Sequence, residues 1–186
     1  MNNRFKNIMV TLIKISPLRR IYDEGLIREI RIIMVNWFFQ RILRINGDIP
    51  WSVHFTSRVT NPDSIKIGKG VVKSFAVSGN CYIQGGNGII IGDETIFAPG
   101  VKIISANHDY LSDSFTWKND IPIKIGDHCW IGANAVILPT VELGPRTIVG
   151  AGSVVTHSFP GNSIIAGVPA KLLKNINNSN TNETSK

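Results

Sequence analysis

The feature that most constrains this chain is a six-residue repeat that fills its C-terminal half. An aliphatic residue recurs every six positions, and a second, mostly small residue stands two positions before each of them. The aliphatic set is Ile125, Ile131, Ile137, Leu143, Val149 and Val155, and the preceding set is Ile123, Cys129, Ala135, Val141, Thr147 and Ser153. A period of six fits neither an α-helix nor a hairpin. It predicts short strands and tight turns stacked as a solenoid.

The same register extends toward the N-terminus. Its members there are Ile91, Phe97 and Ile103, preceded by Ile89, Thr95 and Val101, and further back Ile65, Val71, Val77 and Ile83. The partner positions Lys73, Gly79 and Gly85 are degenerate, which predicts irregular first coils, as expected at the end of a solenoid. Because Ile and Val prefer pleated, half-buried surfaces, the fold class is predicted to be all-β.

A polar insertion, residues 106–121, interrupts the repeat once. The interval from Ile103 to Ile125 is not a multiple of six, and solenoids accommodate insertions as loops, often on the working face. The sequence therefore predicts an N-terminal helical arm (1–50) and a solenoid domain (51–174) that carries this loop. A tail rich in Asn, Ser and Thr (175–186) is predicted to be disordered.

The positive charge of the chain is concentrated in the arm. Residues 1–45 hold nine Lys and Arg against three Asp and Glu, a net charge of +6, whereas the remaining 11 and 10 leave +1. The sequence pI of 9.7 therefore describes the arm. Because the body has no basic stripe and no nucleic-acid-reading motif, we expect no nucleic-acid partner.

The second half of the arm has a broad apolar helical face. Its members are Leu26, Ile30, Ile33, Trp37, Phe38 and Ile42, opposite a polar face. We favour packing of this face against the body or a neighbouring subunit, because a solenoid end needs a cap. The alternative is a basic amphipathic helix, within residues 1–45, that lies on an anionic membrane surface.

The cysteines and the hydropathy pattern indicate the compartment. Cys81 and Cys129 form neither a disulfide framework nor a metal-ligand spacing, which is typical of a reducing cytosol. No cleavage site follows the N-terminal apolar stretch, and no apolar run approaches the roughly 20 residues that span a bilayer. We expect a cytoplasmic protein, at the inner face of the membrane if the arm binds lipid.

Three segments together resemble the hexapeptide-repeat acetyltransferases, over about residues 60–174. They are the repeat, the loop motif Asn107-His108-Asp109-Tyr110, and the closing runs Val149–Val155 and Ala166–Lys171. The sugar and polysaccharide O-acetyltransferases are the most similar branch. The resemblance implies a left-handed parallel β-helix followed by a short C-terminal helix or tail. It also implies a homotrimer with acetyl-CoA between subunits. Handedness comes from the resemblance alone, because crossover connections are otherwise right-handed.

Acyl transfer to a hydroxyl needs a base, and an imidazole is suited to that role near neutral pH. The resemblance implies that His108 is the general base and that the acceptor is a sugar or polysaccharide precursor, with no metal. It implies cofactor contacts at Trp130, Ala133, Ala151, Thr156, His157 and Lys171, and we expect acceptor contacts at Ser78, Asn80 and Asn107. His157 departs from the Lys or Arg usual near the cofactor phosphates. The remaining histidines are interpreted as structural (His54) and as a solvated corner residue (His128).

Three other functions are alternatives to sugar O-acetylation. The first keeps acetyl-CoA as the donor but takes serine or the amino group of a nucleotide sugar as the acceptor. Zinc carbonic anhydrases share the solenoid but need three converging imidazoles, and this chain has no pair of histidines at a matching close spacing. A non-catalytic scaffold would not need the His108 loop or the positions that match the cofactor side of the family.

Overall fold

The computed structural model describes residues 29–109 and 117–176. Two α-helices, α1 (Ile30–Arg41) and α2 (Val72–Val77), and a 3-10 turn (Pro62–Ser64) accompany sixteen strands. The first 28 residues of the predicted helical arm lie outside the described residues, as does the predicted tail from residue 177 onward.

Fourteen strands form three sheets. Sheet A contains β1 (Arg58–Thr60), β3 (Tyr82–Gln84), β6 (Lys102–Ile104), β11 (Val136–Ile137) and β14 (Val154–Val155). Sheet B contains β2 (Ile65–Ile67), β4 (Ile89–Ile91), β9 (Ile123–Ile125) and β12 (Glu142–Leu143). Sheet C contains β5 (Ile96–Phe97), β10 (Trp130–Ile131), β13 (Ile148–Val149), β15 (Ser163–Gly167) and β16 (Ala170–Asn175). The remaining strands, β7 (Asn107–His108) and β8 (Trp117–Lys118), pair with each other.

The chain visits sheets A, B and C in turn, so that each of the three complete coils adds one strand to each sheet. Successive coils pair in parallel, for example β3 with β6 and β6 with β11. This arrangement is a three-sided parallel β-helix, which confirms the predicted solenoid. The three corners of the prism are named below as the A/B, B/C and C/A edges.

The side chains predicted to point inward do line the interior. All eighteen members of the two regular blocks, from Ile89 to Val155, are at most 4% exposed. The small polar members bond adjacent coils to each other: the Thr95 hydroxyl donates to the Gly126 carbonyl (2.7 Å) and accepts from the Cys129 amide (2.9 Å). Small residues therefore recur at this position because the narrow interior has room for one large side chain per coil face.

Each edge is a column of residues in the left-handed conformation, which explains the Gly and Asn content of the turns. Along the C/A edge, φ is 57–78° at Asn80, Gly100, Asn134 and Gly152. The amides of the last three donate to carbonyls in the coil beneath, those of Gly79, Pro99 and Ala133, at 2.8–3.1 Å. The edges therefore hold successive turns in fixed register and stack corner residues above one another.

The first coil is irregular, as predicted, but the presence of a helix in it was not predicted. Val77 was expected to continue the strand register, whereas Val72–Val77 form α2 in place of a strand of sheet C. Phe75 of α2 is buried and packs edge-on against Phe97 of the next coil, with ring centroids 5.0 Å apart. A helix thus fills the base of the prism where the sequence repeat is degenerate.

Helix α1 packs through a different face from the one predicted. Its buried residues are Ile33, Asn36 and Gln40, whereas Trp37, Phe38 and Ile42 are 55, 47 and 57% exposed. Within one protomer these three residues therefore do not pack against the body, whereas Ile33 of the same face does; a neighbouring subunit, the other predicted partner, stays a prediction. The helix has this orientation because the segment 46–55 and α2 present backbone groups without partners in regular structure, and the two amide side chains satisfy them.

The C-terminal segment is a β-hairpin where the sequence prediction had a short helix or tail. β15 extends sheet C in parallel with β13, and β16 then folds back antiparallel to β15. The hairpin covers the edge of sheet C, which would otherwise present unpaired backbone groups.

Candidate active site

His108 lies at the A/B edge, on a hairpin that leaves the prism directly after strand β6. The hairpin pairs Asn107 with Lys118 and His108 with Trp117. The side chains of Asn107 and His108 are exposed, and Asp109 is half-buried. The imidazole is thus carried on a short antiparallel ladder above the repeat surface.

Two side chains of the coil beneath fix the base of this hairpin. The Gln84 side-chain oxygen accepts from the Ala106 amide (3.1 Å). The Asn87 side-chain amide donates to the Lys118 carbonyl (2.9 Å), and the Asn87 backbone amide donates to the Ser105 hydroxyl (3.0 Å). Both strands of the hairpin are therefore attached to the preceding coil. Sequence reasoning missed Gln84 and Asn87, whose only signal is the Gly-Gly turn between them.

Two predicted cofactor residues share the A/B edge with His108. Thr156 and His157 follow β14, two coils above the hairpin, and both are exposed. The Thr156 hydroxyl lies 3.2 Å from Nδ1 of His157, whose ring packs on Phe159 with centroids 4.4 Å apart. This edge thus places one imidazole on the hairpin and a second near the C-terminal end of the prism.

Ala133, Ala151 and Asn80 lie on the opposite side of sheet A, at the C/A edge. The Gly152 amide donates to the Ala133 carbonyl (2.8 Å), so the two alanine turns are stacked directly. A Cβ at Gly132 would lie only 2.6 Å from the Ala151 amide nitrogen, so this corner admits no larger residue there. Ala151 and Asn80 are exposed and Ala133 is half-buried, which leaves a strip of small side chains and accessible backbone.

The two edges are well separated within one protomer. About five residues of nearly extended chain connect Ala133 to the A/B edge of its own coil, roughly 16 Å at 3.3 Å per residue. His108 and the alanine strip consequently bound the same sheet from opposite sides. The structure brings Asn107, His108, Thr156 and His157 to one edge, and Asn80, Ala133 and Ala151 to the other.

Ser78 and Lys171 complete the C/A side. Ser78 is 2% exposed and its hydroxyl donates to the Phe97 carbonyl (2.7 Å), so this residue belongs to the packing between coils. Lys171 is exposed on β16 and pairs with Ala166, whose side chain lies over Gly150. Lys171 thus lies two strands beyond β13, the strand that leads to Ala151.

Trp130 stands on the outer face of sheet C and is 52% exposed. In the parallel register, the outward residues of this sheet form one apolar row, namely Ile96, Trp130, Ile148 and Ile164. The corresponding row on sheet B is largely charged: Lys66, Ile90, Lys124 and Glu142. The outward row on sheet A is mixed: Arg58, Tyr82, Lys102, Val136 and Val154. The three faces of the prism therefore differ in chemistry, and sheet C has the least polar row.

The other histidines and the cysteines have structural surroundings. His54 stacks on Phe55, and partial burial lowers the pKa of its imidazole. His128 is exposed at the B/C edge with a φ of 55°. Burial raises the pKa of both thiols, Cys81 and Cys129, which disfavours the nucleophilic thiolate. Among residues 29–109 and 117–176, no three His, Cys, Asp or Glu side chains are grouped so as to hold a metal ion.

The repeat and the wider chain match known proteins. Residues 122–157 match the family described as "Bacterial transferase hexapeptide (six repeats)". The Escherichia coli K12 protein named "Putative lipopolysaccharide biosynthesis O-acetyl transferase WbbJ" is 33% identical, with 82% of this chain and 89% of that protein covered. The chain belongs to the hexapeptide-repeat acetyltransferases.

Two further members of this family align with the solenoid. Galactoside O-acetyltransferase of Escherichia coli K12 is 35% identical over 56% of this chain. The chain spans 53% of that enzyme and about half of another curated relative. The crystal structure of the Vibrio cholerae hexapeptide-repeat acetyltransferase VCA0836, complexed with acetyl coenzyme A, has a TM-score of 0.58 and 30% identity over 66% of each chain. The shared fold is the left-handed parallel β-helix, as the sequence resemblance implied.

Proposed function

We propose that this acetyltransferase moves the acetyl group of acetyl-CoA onto a hydroxyl of a sugar or polysaccharide precursor. The observation that carries the proposal is the exposed imidazole of His108 on a hairpin anchored to the prism. The names of the relatives support the chemistry, since two are named O-acetyltransferases and a third was crystallised with acetyl-CoA.

In the proposed mechanism, His108 accepts the proton of the acceptor hydroxyl as its oxygen attacks the thioester carbonyl carbon. The tetrahedral intermediate carries its negative charge on the former carbonyl oxygen, which a backbone N–H is well placed to stabilise in sites of this type. Collapse of the intermediate breaks the C–S bond, and the imidazolium returns the proton to the departing thiolate. The products are the acetyl ester and free coenzyme A, so no metal or redox partner is needed.

The separation of the two edges argues that the site is shared between subunits. The attacking oxygen must lie within about 3–3.5 Å of the thioester carbon and also within reach of the base. His108 and the strip of Ala133 and Ala151 bound opposite sides of sheet A in one protomer. We therefore place the A/B edge of one subunit against the C/A edge of the next in a homotrimer.

The apolar row on sheet C supports such an assembly. Ile96 and Trp130 are 50 and 52% exposed in the isolated protomer, in an outward row that is uncharged along the parallel strands and reaches a charged residue, Lys174, only on the terminal strand β16. Contact with a neighbouring subunit would remove this row from water, which is favourable at about 25 cal/mol per Å² of apolar surface. The charged row of sheet B would remain in solvent.

The same arrangement assigns the remaining residues. The pantetheine arm would lie along the backbone of Ala133 and Ala151, beside Trp130, with Lys171 near the negatively charged nucleotide. Thr156 and His157 would approach the cofactor from the neighbouring subunit, where a neutral imidazole attracts phosphate less strongly than an ammonium does. The acceptor would contact Asn107 beside the base and Asn80 across the groove. Ser78 is buried and would have a packing role only.

The test is the release of free thiol from acetyl-CoA with a panel of acceptors. The panel contains sugars, serine and amino sugars, and we expect turnover with a sugar hydroxyl. The variant His108→Asn should lower kcat by about two to four orders of magnitude, the range expected for loss of a general base. The matched control, His128→Asn, alters an exposed imidazole at the B/C edge and should leave kcat within about twofold.

Two outcomes would contradict the proposal. Equal loss of activity in both variants would remove His108 from the mechanism, since His128 lies on an edge that the proposed site does not use. Turnover with serine or an amino sugar, and with none of the sugar hydroxyls, would reject the proposed acceptor class while keeping the acyl donor.

A further inference from the structure

Helix α1 has its polar anchors on the inside and its apolar residues on the outside. Asn36 makes hydrogen bonds to the Ala76 carbonyl (2.9 Å) and the Phe55 amide (3.1 Å), and Gln40 to the Val53 amide (3.0 Å). Both amide side chains are buried. These bonds fix the rotation of the helix about its axis, so the apolar side cannot roll inward.

The opposite side of α1 is a continuous apolar surface, which we call the outer α1 face. It consists of Met34, Val35, Phe38 and Ile42, which are 65, 39, 47 and 57% exposed. At 100° per residue these four side chains fall within about a third of the helix circumference, and Trp37 lies at the margin. A surface of this kind on a protein marks a contact with a partner.

Positive charge surrounds the outer α1 face. Arg31 projects from the same side of the helix, and Arg41 and Arg44 lie at its C-terminal end; all three are exposed. In residues 29–45 these three arginines are opposed by Glu29 alone, which gives this part of the arm a net charge of +2. An apolar stripe with an aromatic margin and flanking arginines matches the boundary between lipid headgroups and acyl chains.

We propose that the outer α1 face binds the surface of an anionic lipid bilayer. Helix α1 has 12 residues, about 18 Å at 1.5 Å per residue, so it would lie parallel to the membrane plane. Among the described residues, no helix combines the length and the hydropathy that a crossing requires. The inference does not rest on the proposed acetyl transfer, because none of the residues involved belongs to either edge of sheet A.

A second copy of the chain fits this face less well than lipid does. The proposed trimer closes through the edges of sheet A and the outer row of sheet C, so a further copy would meet the outer α1 face by a twofold contact, which would place Arg31 and Arg41 of one copy near the same residues of the other. Like charges opposite each other oppose association. Phosphate headgroups instead pair with guanidinium groups through two parallel hydrogen bonds, while the apolar stripe enters the acyl boundary.

The experiment is co-sedimentation of the full chain with vesicles of phosphatidylcholine alone or with about one third phosphatidylglycerol. We expect at least about tenfold tighter binding to the anionic vesicles at low salt, and weaker binding as salt rises. Two variants, Phe38→Asp and Ile42→Asp, should each lower binding about tenfold or more, because a carboxylate is excluded from the acyl boundary. The variant Ile90→Asp is the control: Ile90 is exposed between Lys66 and Lys124 on sheet B, so a carboxylate is accommodated there.

Light scattering of the same variants separates lipid from protein as the occupant. Unchanged mass in Phe38→Asp together with lost vesicle binding supports the proposal. Failure of the unaltered chain to bind anionic vesicles at low salt would overturn it. A fall in mass in Phe38→Asp but not in Ile90→Asp would also overturn it, because the face would then be an interface between copies.

Discussion

At the residue scale, Asn87 connects the hairpin of His108 to the preceding coil. Its side-chain amide donates to the carbonyl of Lys118, which lies on the returning strand of the hairpin. A misplacement of about 1 Å can slow a reaction of this kind about 100-fold. A looser hairpin, which would let the proposed base move, should therefore slow the chemical step.

We expect Asn87→Ala to lower kcat about tenfold or more while the KM for acetyl-CoA changes by less than about threefold. The matched control is Lys118→Ala, which keeps the carbonyl that Asn87 contacts and removes an exposed ammonium with its 3.9 Å ion pair to Asp120. The measurement is steady-state kinetics of thiol release, with the melting temperature followed in parallel. Equal kcat in the two variants would show that Asn87 does not position the hairpin.

Single residues could be predicted only where a local motif carries the information. His108 was identified because a polar motif interrupts the repeat, and family resemblance gave that interruption a role. Gln84 and Asn87 could not be identified, because their contact with the hairpin exists only after two coils have stacked. Ser78 was expected to contact the acceptor, yet its hydroxyl donates to the Phe97 carbonyl in the interior. Ser78 directly follows α2, which the repeat pattern did not predict.

At the element scale, α1 illustrates how polar contacts override an amphipathic pattern. Gln40 is 3% exposed and bonds to the Val53 amide, the Asn46 carbonyl and the Trp51 carbonyl. Helical periodicity alone assigns the apolar side to the interior. The periodicity could not reveal that the segment beneath the helix presents unpaired backbone groups.

Replacement of Gln40 by Ala should therefore destabilise the fold more than removal of an apolar side chain from the same helix. We expect Gln40→Ala to lower the free energy of unfolding by about 1–3 kcal/mol, because buried backbone groups lose their partners. Ile42→Ala should change it by no more than about 0.5 kcal/mol, since Ile42 is 57% exposed. Urea unfolding monitored by circular dichroism measures both, and a larger loss in Ile42→Ala would contradict the observed orientation of α1.

The strands, in contrast, could be predicted almost residue by residue. Each six-residue unit of the prism has two inward positions, the aliphatic residue of its short strand and the mostly small residue two positions before it. The six-residue register therefore fixes which side chains are buried. The register fails where the coil is not made of strands, as at Val72–Val77, and it ends where β16 reverses direction. Handedness is likewise absent from the period, because the inward pattern of a left-handed coil and of its mirror image is the same.

At the scale of the whole molecule, the stacked coils form a rigid body with three chemically distinct faces. Sheet B presents a largely charged outer row, sheet C an apolar one, and sheet A lies between the two edges that carry the candidate site residues. In the proposed trimer the catalytic base and the cofactor strip that serve one reaction come from two different subunits. The proposed mechanism depends on this sharing of one site between two subunits.

Complementation between two inactive variants tests this sharing most directly. His108→Asn removes the base at the A/B edge, and Ala151→Phe blocks the strip at the C/A edge. Random assembly from equal amounts should recover about one quarter of the unaltered activity in the whole population, because about one interface in four combines an intact edge from each chain. Recovery near that fraction is the predicted result. Activity no higher than that of the separate variants, in trimers shown by differential tagging to be mixed, would contradict a shared site.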